Sequence, residues 1–454
     1  MDKQEDAQRG AFEAIPVIDL EPMYQGNIEK SRKAAKEIGD ACRNVGFFYI
    51  KGHRLSKELL ERVYEQTKLF FELDPAEKQK VAMKNHPDIH RGYFSYMEEI
   101  TDVSTREAGG GDLKEGIDIG HDDEADEKGQ YKPLHGKNQW PERMEGFKEV
   151  MEEYFREIEA LGKTLLHAFA IDLGLDNEFY FHDMFTPGMS LLRLLHYPPQ
   201  NPQAHDFNPN QIGCGVHTDY GCVTILSQDA EGLQVMNRAG EWVNATPIKN
   251  SLLVNLGDMM ERWTNGIYKA TPHRVVNISG KDRYSIPFFF EPNFETLVEP
   301  LPACITQERP RAYEPVGFGN HLLYKLNTTF EYRSKNESSS STSDASTTTN
   351  NTDSTSPTFA SSIPRSLASA SSSAASSYSS LSDLFRKDSD VSSSSSSPLL
   401  MEGGGAEELA TTGMENLSLS GGDDLYVPPS SALSLTPSPT SSTPSSSSSS
   451  SNPE

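Results

Sequence analysis

Apolar residues recur with two different periods along the chain as far as about Lys335, and the change of period predicts where helices give way to strands. In Ile15-Pro16-Val17-Ile18-Asp19-Leu20 the alternation predicts a strand with proline at its start. Ala34, Ala35, Ile38, Ala41, Cys42 and Val45 then fall at three- and four-residue steps. That spacing predicts a helix stopped by Gly46, followed by a strand over Phe47 to Ile50. A second helix is expected after Ser56, with Leu59, Leu60, Val63, Thr67, Phe70 and Phe71 on one face. Asp74-Pro75-Ala76-Glu77 reads as an N-cap with proline at the first helical position. Residues Ile89 to Glu142 carry weak periodicity and much Gly, Asp, Glu and Lys, so loop with short strands is expected. Met144, Phe147, Met151, Tyr154, Ile158, Leu161 and Leu165 trace the stripe of a long bracing helix that ends near Gly174.

From Met189 onward the runs become short and β-like: MSLLRLLHY, CVTILSQ, GLQVM, SLLVNL, RVVNI and YSIPFFF. Many short strands separated by turn signals imply a sandwich or jelly roll. The expected architecture is therefore a mainly β core with flanking helices, preceded by an α/β N-terminal region. Boundaries are placed at 1–14 (disordered N-terminus), 15–180 (N-terminal region), 186–335 (jelly-roll domain) and 336–454 (disordered tail).

Composition explains the last boundary. From Asn336 the chain is dominated by Ser, Thr, Pro, Gly and Ala, too little apolar surface to offset chain entropy. The tail holds 13 acidic against 3 basic residues, a net −10 of the chain's −25. Both parts are acidic, which argues against a nucleic-acid partner or an anionic membrane surface. No apolar stretch reaches membrane-spanning length, and MDKQEDAQRG lacks the apolar core of a signal peptide, so the cytosol is the expected compartment. A monomer is expected. Leu381, Leu384 and Phe385 are spaced like one turn of an amphipathic helix among serines, the place in the tail for a docking partner or a kinase. Cys42, Cys214, Cys222 and Cys304 are too scattered for a metal or redox motif and are expected to be reduced, with Cys214 and Cys222 reading as small buried hydrophobes.

The chemistry concentrates in Cys214 to Leu226, CGVHTDYGCVTIL. If this run is a strand, His217 and Asp219 face one way while Val216 and Thr218 pack behind them, with the metal pair at the start of the strand. A second imidazole would complete a 2-His-1-carboxylate site for Fe(II) with positions left open. His273, at the head of another β-like run, is the candidate, and Arg283 and Ser285 follow it in order. The other H-x-D, His121 and Asp123, lies in an acidic hydrophilic run and reads as accidental.

His217-Thr218-Asp219, LSQDAEGLQV, VNLGD, WTNGIYKATPHRV and Arg283-x-Ser285, with IPVIDL, VGFFYIKGH and FFELDPAEKQKV upstream, resemble the isopenicillin N synthase-like family of Fe(II)/2-oxoglutarate-dependent dioxygenases. The resemblance spans roughly residues 15 to 330. It implies a double-stranded β-helix, with His217, Asp219 and His273 as iron ligands and as the catalytic centre. It further implies 2-oxoglutarate as cosubstrate with O2, and oxidation of a small organic molecule, hydroxylation by default, with release of succinate and CO2. Arg283 would grip the far carboxylate of 2-oxoglutarate, Ser285 would add a hydrogen bond, and Tyr197 lies where relatives place a cosubstrate-contacting tyrosine. Leu195 stands where many relatives have asparagine. Tyr93, Phe94, Lys114 and Glu115 fall in the segment that closes over the barrel mouth in this family and are candidate substrate contacts. Two alternatives stay open: an Fe(II)/O2 oxidase of the same fold that does not use 2-oxoglutarate, and a non-catalytic barrel acting as a sensor. RYSIPFFFEP looks more like microbial and fungal members, thymine-hydroxylase-like ones among them, without naming the substrate.

Overall fold

The computed structural model describes residues 11–102, 111–200, 211–277 and 279–330. The tail from 336, its Leu381-Leu384-Phe385 segment and the first ten residues lie outside the described residues.

Twelve strands build the part of the fold that bears on function: β1 (Val17–Asp19), β2 (Phe47–Lys51), β3 (Gly92–Phe94), β4 (Glu115–Ile119), β5 (Leu191–Tyr197), β6 (Cys214–His217), β7 (Val223–Gln228), β8 (Leu233–Met236), β9 (Trp242–Asn244), β10 (Leu252–Leu256), β11 (His273–Val275) and β12 (Arg283–Phe290). The larger sheet runs β1-β2-β10-β7-β12-β5-β4-β3 and the smaller β6-β11-β8-β9, the two faces of a jelly roll. Strands from the first hundred-odd residues thus extend both edges of the larger sheet. Six helices accompany them: α1 (Ile28–Asn44), α2 (Lys57–Phe71), α3 (Pro75–Lys80), α4 (Phe147–Asp172), α5 (Asp258–Trp263) and α6 (Phe318–Thr329).

The helices begin and end for local reasons. The side chains of Asn27, Ser56 and Asp74 cap α1, α2 and α3. Gly46 takes φ +74° just beyond α1, the left-handed position that favours glycine. α1 turns its small residues Ala35, Gly39 and Cys42 inward. At Gly39 an added Cβ would collide with the carboxylate of Asp172 at the end of α4. That carboxylate accepts bonds from Arg43 of α1 and from the Tyr268 hydroxyl at 2.6 Å, so one buried acid ties three segments.

β12 organises the site. Two of its even-numbered side chains face the bracing helix: Phe288 meets Phe155 of α4 edge-on at 5.0 Å, and Phe290 fills the space left by Gly162. Its odd-numbered Arg283, Ser285, Pro287 and Phe289 face the cavity between the sheets. Proline sits mid-strand at a break in the ladder, since the register with β5 runs from Ser285↔Leu195 to Phe288↔Leu192 and skips Ile286 and Pro287.

Candidate active site

His217 ends β6, and His273 begins β11 directly opposite it in the antiparallel register. Asp219 is not on a strand. Alternation in the sequence puts His217 and Asp219 on one strand ahead of CVTIL; instead β6 stops at His217, and Asp219 lies in the turn that leads to β7 at Val223. Val216 does not pack behind the pair either, being 36% exposed. The turn is held by Gly257 and the first residues of α5. Gly257 N–H donates to Cys222 O at 3.0 Å, Asp258 N–H to Asp219 O at 2.8 Å, and Met259 N–H to Gly221 O at 2.9 Å. Thr218 Oγ1 donates to Asp258 Oδ1 at 2.7 Å. Gly257 has no room for a Cβ against the Asp219 and Gly221 carbonyls, so glycine is required where the two backbones meet.

Each of the three side chains is oriented by a partner on its outer side. His217 Nδ1–H donates to Gly215 O at 2.8 Å, and His273 Nδ1–H to Thr271 O at 3.1 Å, which turns both Nε2 atoms toward the cavity. Asp219 Oδ2 accepts from Asn255 Nδ2 at 2.6 Å and from the Thr224 hydroxyl. Its Oδ1 stands 3.6 Å from Nε2 of each histidine. The three ligand atoms lie within 4.8 Å of one another, and among the described residues this is the one such His/Cys/Asp/Glu cluster. Burial, reinforced by His217 alongside, pushes His273 down to about 4, so its imidazole is neutral with a lone pair to offer. Burial disfavours the charge on Asp219, but the neighbouring His273 and His217 and the bonds from Thr224 and Asn255 outweigh it and hold the carboxyl below its usual range. Two imidazoles and a carboxylate with one oxygen reserved fit a divalent iron.

Arg283 lies in the same cavity and is 1% exposed. Its Nη2 donates to Gln228 Oε1 at 2.9 Å and its Nε to Ala230 O at 3.3 Å, while Nη1 is buried with no hydrogen-bond partner. Among the described residues no carboxylate pairs with it. A buried guanidinium with an orphaned donor fits the far carboxylate of a dicarboxylic cosubstrate. Tyr197, opposite Arg283 in the register, stacks its ring 4.8 Å from the guanidinium carbon. Ser285 is 2% exposed and faces the same cavity, and Leu195 opposite it offers only apolar surface.

Of the four candidate substrate contacts in the 89–142 segment, only Lys114 lines the cavity. Tyr93, Phe94 and Glu115 serve packing. Tyr93 donates to Glu115 at 2.7 Å, and Glu115 is further bound by Lys78 and His196, each at 2.8 Å. Phe94 packs edge-on against Phe330 and beneath Arg193. Alternation is no guide there because every residue of β3 and β4 is buried, on both faces of the sheet. His121 and Asp123 do not converge: His121 pairs with Glu159 at 3.2 Å, and Asp123 accepts from Gly136 N–H at 3.0 Å.

Sequence reasoning missed a buried charge network in the cavity wall. Arg193 forks onto Asp118 at 2.6 and 2.8 Å and reaches Glu99 at 3.0 Å, and Lys114 bridges Glu99 at 2.9 Å and Asp112 at 2.6 Å. Asp112 in turn accepts from Gly215 N–H at 3.0 Å, so the network reaches β6, the strand that ends in His217. Thr224 and Asn255, which seat Asp219, were also missed. Asn255 stands in the quoted VNLGD, but a buried polar residue inside an apolar strand was the one signal available.

The chain is similar to known proteins over the same span. Residues 15–143 match the family described as non-haem dioxygenase in morphine synthesis N-terminal, and 188–292 the 2OG-Fe(II) oxygenase superfamily. A homoarginine-6-hydroxylase of Oryza sativa subsp. japonica is 36% identical, covering 70% of this chain and 98% of its own length. A 2-oxoglutarate-Fe(II) type oxidoreductase of Emericella nidulans is also 36% identical, over 67% and 86%. A full-length Neurospora crassa protein crystallised in complex with alpha-KG superposes with a TM-score of 0.62 at 34% identity, covering 69% of this chain and 95% of that one. The chain belongs to the 2-oxoglutarate-Fe(II) oxygenases and is an oxidoreductase that uses Fe(II), 2-oxoglutarate and O2 to oxidise a small molecule.

Proposed function

We propose that His217 Nε2, Asp219 Oδ1 and His273 Nε2 hold the Fe(II), and that Arg283, with Ser285 and Tyr197, holds the far carboxylate of 2-oxoglutarate. The observation that carries this reading is the orphaned Nη1 of Arg283 in the same cavity as the triad. When bound, Fe(II) and 2-oxoglutarate supply O2 activation coupled to decarboxylation of the cosubstrate to succinate and CO2. The protein's part is orientation and exclusion. Gly215 O and Thr271 O fix the imidazole tautomers, Thr224 and Asn255 hold Asp219 to a single ligating oxygen, and Leu226, Leu233 and Val275 keep water from the cosubstrate end.

We place the substrate chamber at the Phe289 end of β12, where Met189, Leu191 and Phe289 line the cavity with apolar surface and Arg193 lies against the Phe289 ring. A small molecule seated there and hydroxylated is the reading the chamber supports. Relatives named as homoarginine-6-hydroxylases, and the Neurospora crassa structure in complex with alpha-KG and thymine, agree with a nitrogen-bearing substrate. The four free, buried cysteines support a reducing compartment, the cytosol. Calorimetric titration of Mn(II), a redox-quiet stand-in, into wild type and into His217→Ala, Asp219→Ala and His273→Ala tests the ligand assignment. Each variant should lose roughly tenfold or more in affinity while keeping its far-UV circular dichroism, and wild-type affinity in any of the three would remove that residue from the set.

A further inference from the structure

Glu291 follows the last residue of β12 and continues the odd-numbered face that carries Arg283, Ser285, Pro287 and Phe289. Arg283 and Glu291 therefore mark opposite ends of one strand face, with the triad between them: Thr224, which seats Asp219, pairs with Phe289 in the register. Glu291 is 5% exposed and lines the cavity. Its Oε2 accepts the Cys222 N–H at 2.8 Å. Its Oε1 lies over the Cα of Gly221, where an added Cβ would collide with it, so a glycine leaves the carboxyl its place beside the iron turn.

The other acids of the cavity are compensated. Glu99 pairs with Arg193 and Lys114, which also bind Asp118 and Asp112 outside the cavity lining, and Asp219 is assigned to the metal. Glu291 has no lysine, arginine or histidine within ion-pair distance among the described residues. A carboxyl this buried is held well above its usual range by desolvation and, in lesser part, by the like charge of Asp219, and one backbone N–H only partly offsets them. Met189, Leu191 and Phe289 flank it with apolar surface. We infer that Glu291 is the specificity-determining residue of the substrate chamber, and that it receives a cationic nitrogen group, an ammonium, amidinium or guanidinium on an apolar stem, presented by the substrate. The inference rests on the iron and cosubstrate assignment above. Such a group brings the missing positive charge and N–H donors to a desolvated carboxyl, where the pairing is strongest.

The test uses full-length protein loaded anaerobically with Fe(II) and 2-oxoglutarate, whose visible charge-transfer band is recorded first. A missing band in wild type defeats the cosubstrate assignment and takes this inference with it. With the band in place, n-butylguanidinium, n-butylammonium and the neutral n-butylurea are titrated in turn, following the perturbation of the band. Wild type should bind at least one cation roughly tenfold or more tighter than the urea. Glu291→Gln keeps an acceptor for Cys222 N–H, so it should retain iron and 2-oxoglutarate affinity but lose the charge preference, and Glu291→Asp should keep part of it. No charge preference in wild type, or an undiminished one in Glu291→Gln, overturns the inference. Loss of iron binding in both Glu291→Gln and Glu291→Asp overturns it too, because the carboxyl would then be a support for the iron turn and not a substrate contact.

Discussion

Asn255 and Thr224 seat the carboxylate of the proposed metal site without being among its proposed ligands. Together they occupy one oxygen of Asp219 and turn the other toward the two imidazoles. Removing an outer partner of this kind typically costs about 10- to 100-fold in metal affinity. Asn255→Ala is expected in that range by Mn(II) calorimetry, with the fold intact; an affinity indistinguishable from wild type would mean that Asp219 is oriented by the turn alone. At Arg283 the expectation is geometric. Arg283→Lys keeps the charge but not the planar fork, so it should recover only part of the 2-oxoglutarate affinity lost in Arg283→Ala. That His217, Asp219 and His273 converge and that Arg283 shares their cavity was legible in the sequence because their order and spacing are unusual. Thr224 and Asn255 were not, because a hydroxyl or amide in a strand is commonplace until a buried carboxylate is placed beside it.

Among the elements, α1 and α4 are locked through a contact that only glycine allows. Gly39→Ala would drive a methyl into the Asp172 carboxylate and loosen its bonds to Arg43 and Tyr268. Overpacking of this kind costs about 1–3 kcal/mol, so the urea midpoint should fall with the m-value unchanged. An unchanged midpoint would show that the helices simply slide apart. α1, α2, α4 and most strands followed from periodicity and α3 from its cap, with Ser56 at the expected start and Gly46 at the expected stop, while α5 and α6 were not anticipated. The iron segment did not, since alternation in CGVHTDYGC cannot reveal that Gly257-Asp258, forty residues away by Thr218–Asp258 separation, folds Asp219 into a turn. β3 and β4 failed for a related reason: a strand covered on both faces carries no alternation to show which side chains meet a cavity.

For the molecule as a whole, the buried network sets the acid limit. Burial opposes ionisation of Glu99 and Asp118, but Arg193 leads the groups that outweigh it, joined by Lys114 at Glu99 and His90 at Asp118, and both carboxyls are held below their usual range. At Glu115 burial is likewise outweighed, by His196, Lys78 and Tyr93. Groups with depressed folded-state pKa contribute stability that is full above their unfolded values near 4 and is lost as pH falls through the folded values. The network's contribution to stability should therefore hold from neutrality to about pH 5 and drop steeply below about 4, and Arg193→Met should shrink that acid-dependent part. A flat profile from about pH 5 to about 3 would contradict the network's role. Residues 336–454, poor in apolar side chains, should be removable without a shift in melting temperature.

The central claim, one cavity holding iron at the triad and 2-oxoglutarate at Arg283, is tested most directly by anaerobic titration of 2-oxoglutarate into Fe(II)-loaded wild type and Arg283→Ala, followed by the visible charge-transfer band. Removing a buried cation from its carboxylate partner costs about 2–5 kcal/mol, so at about 1.36 kcal/mol per tenfold the apparent affinity should fall by roughly thirty-fold to a few thousand-fold while Fe(II) binding persists. Equal 2-oxoglutarate affinity in the two proteins would contradict it.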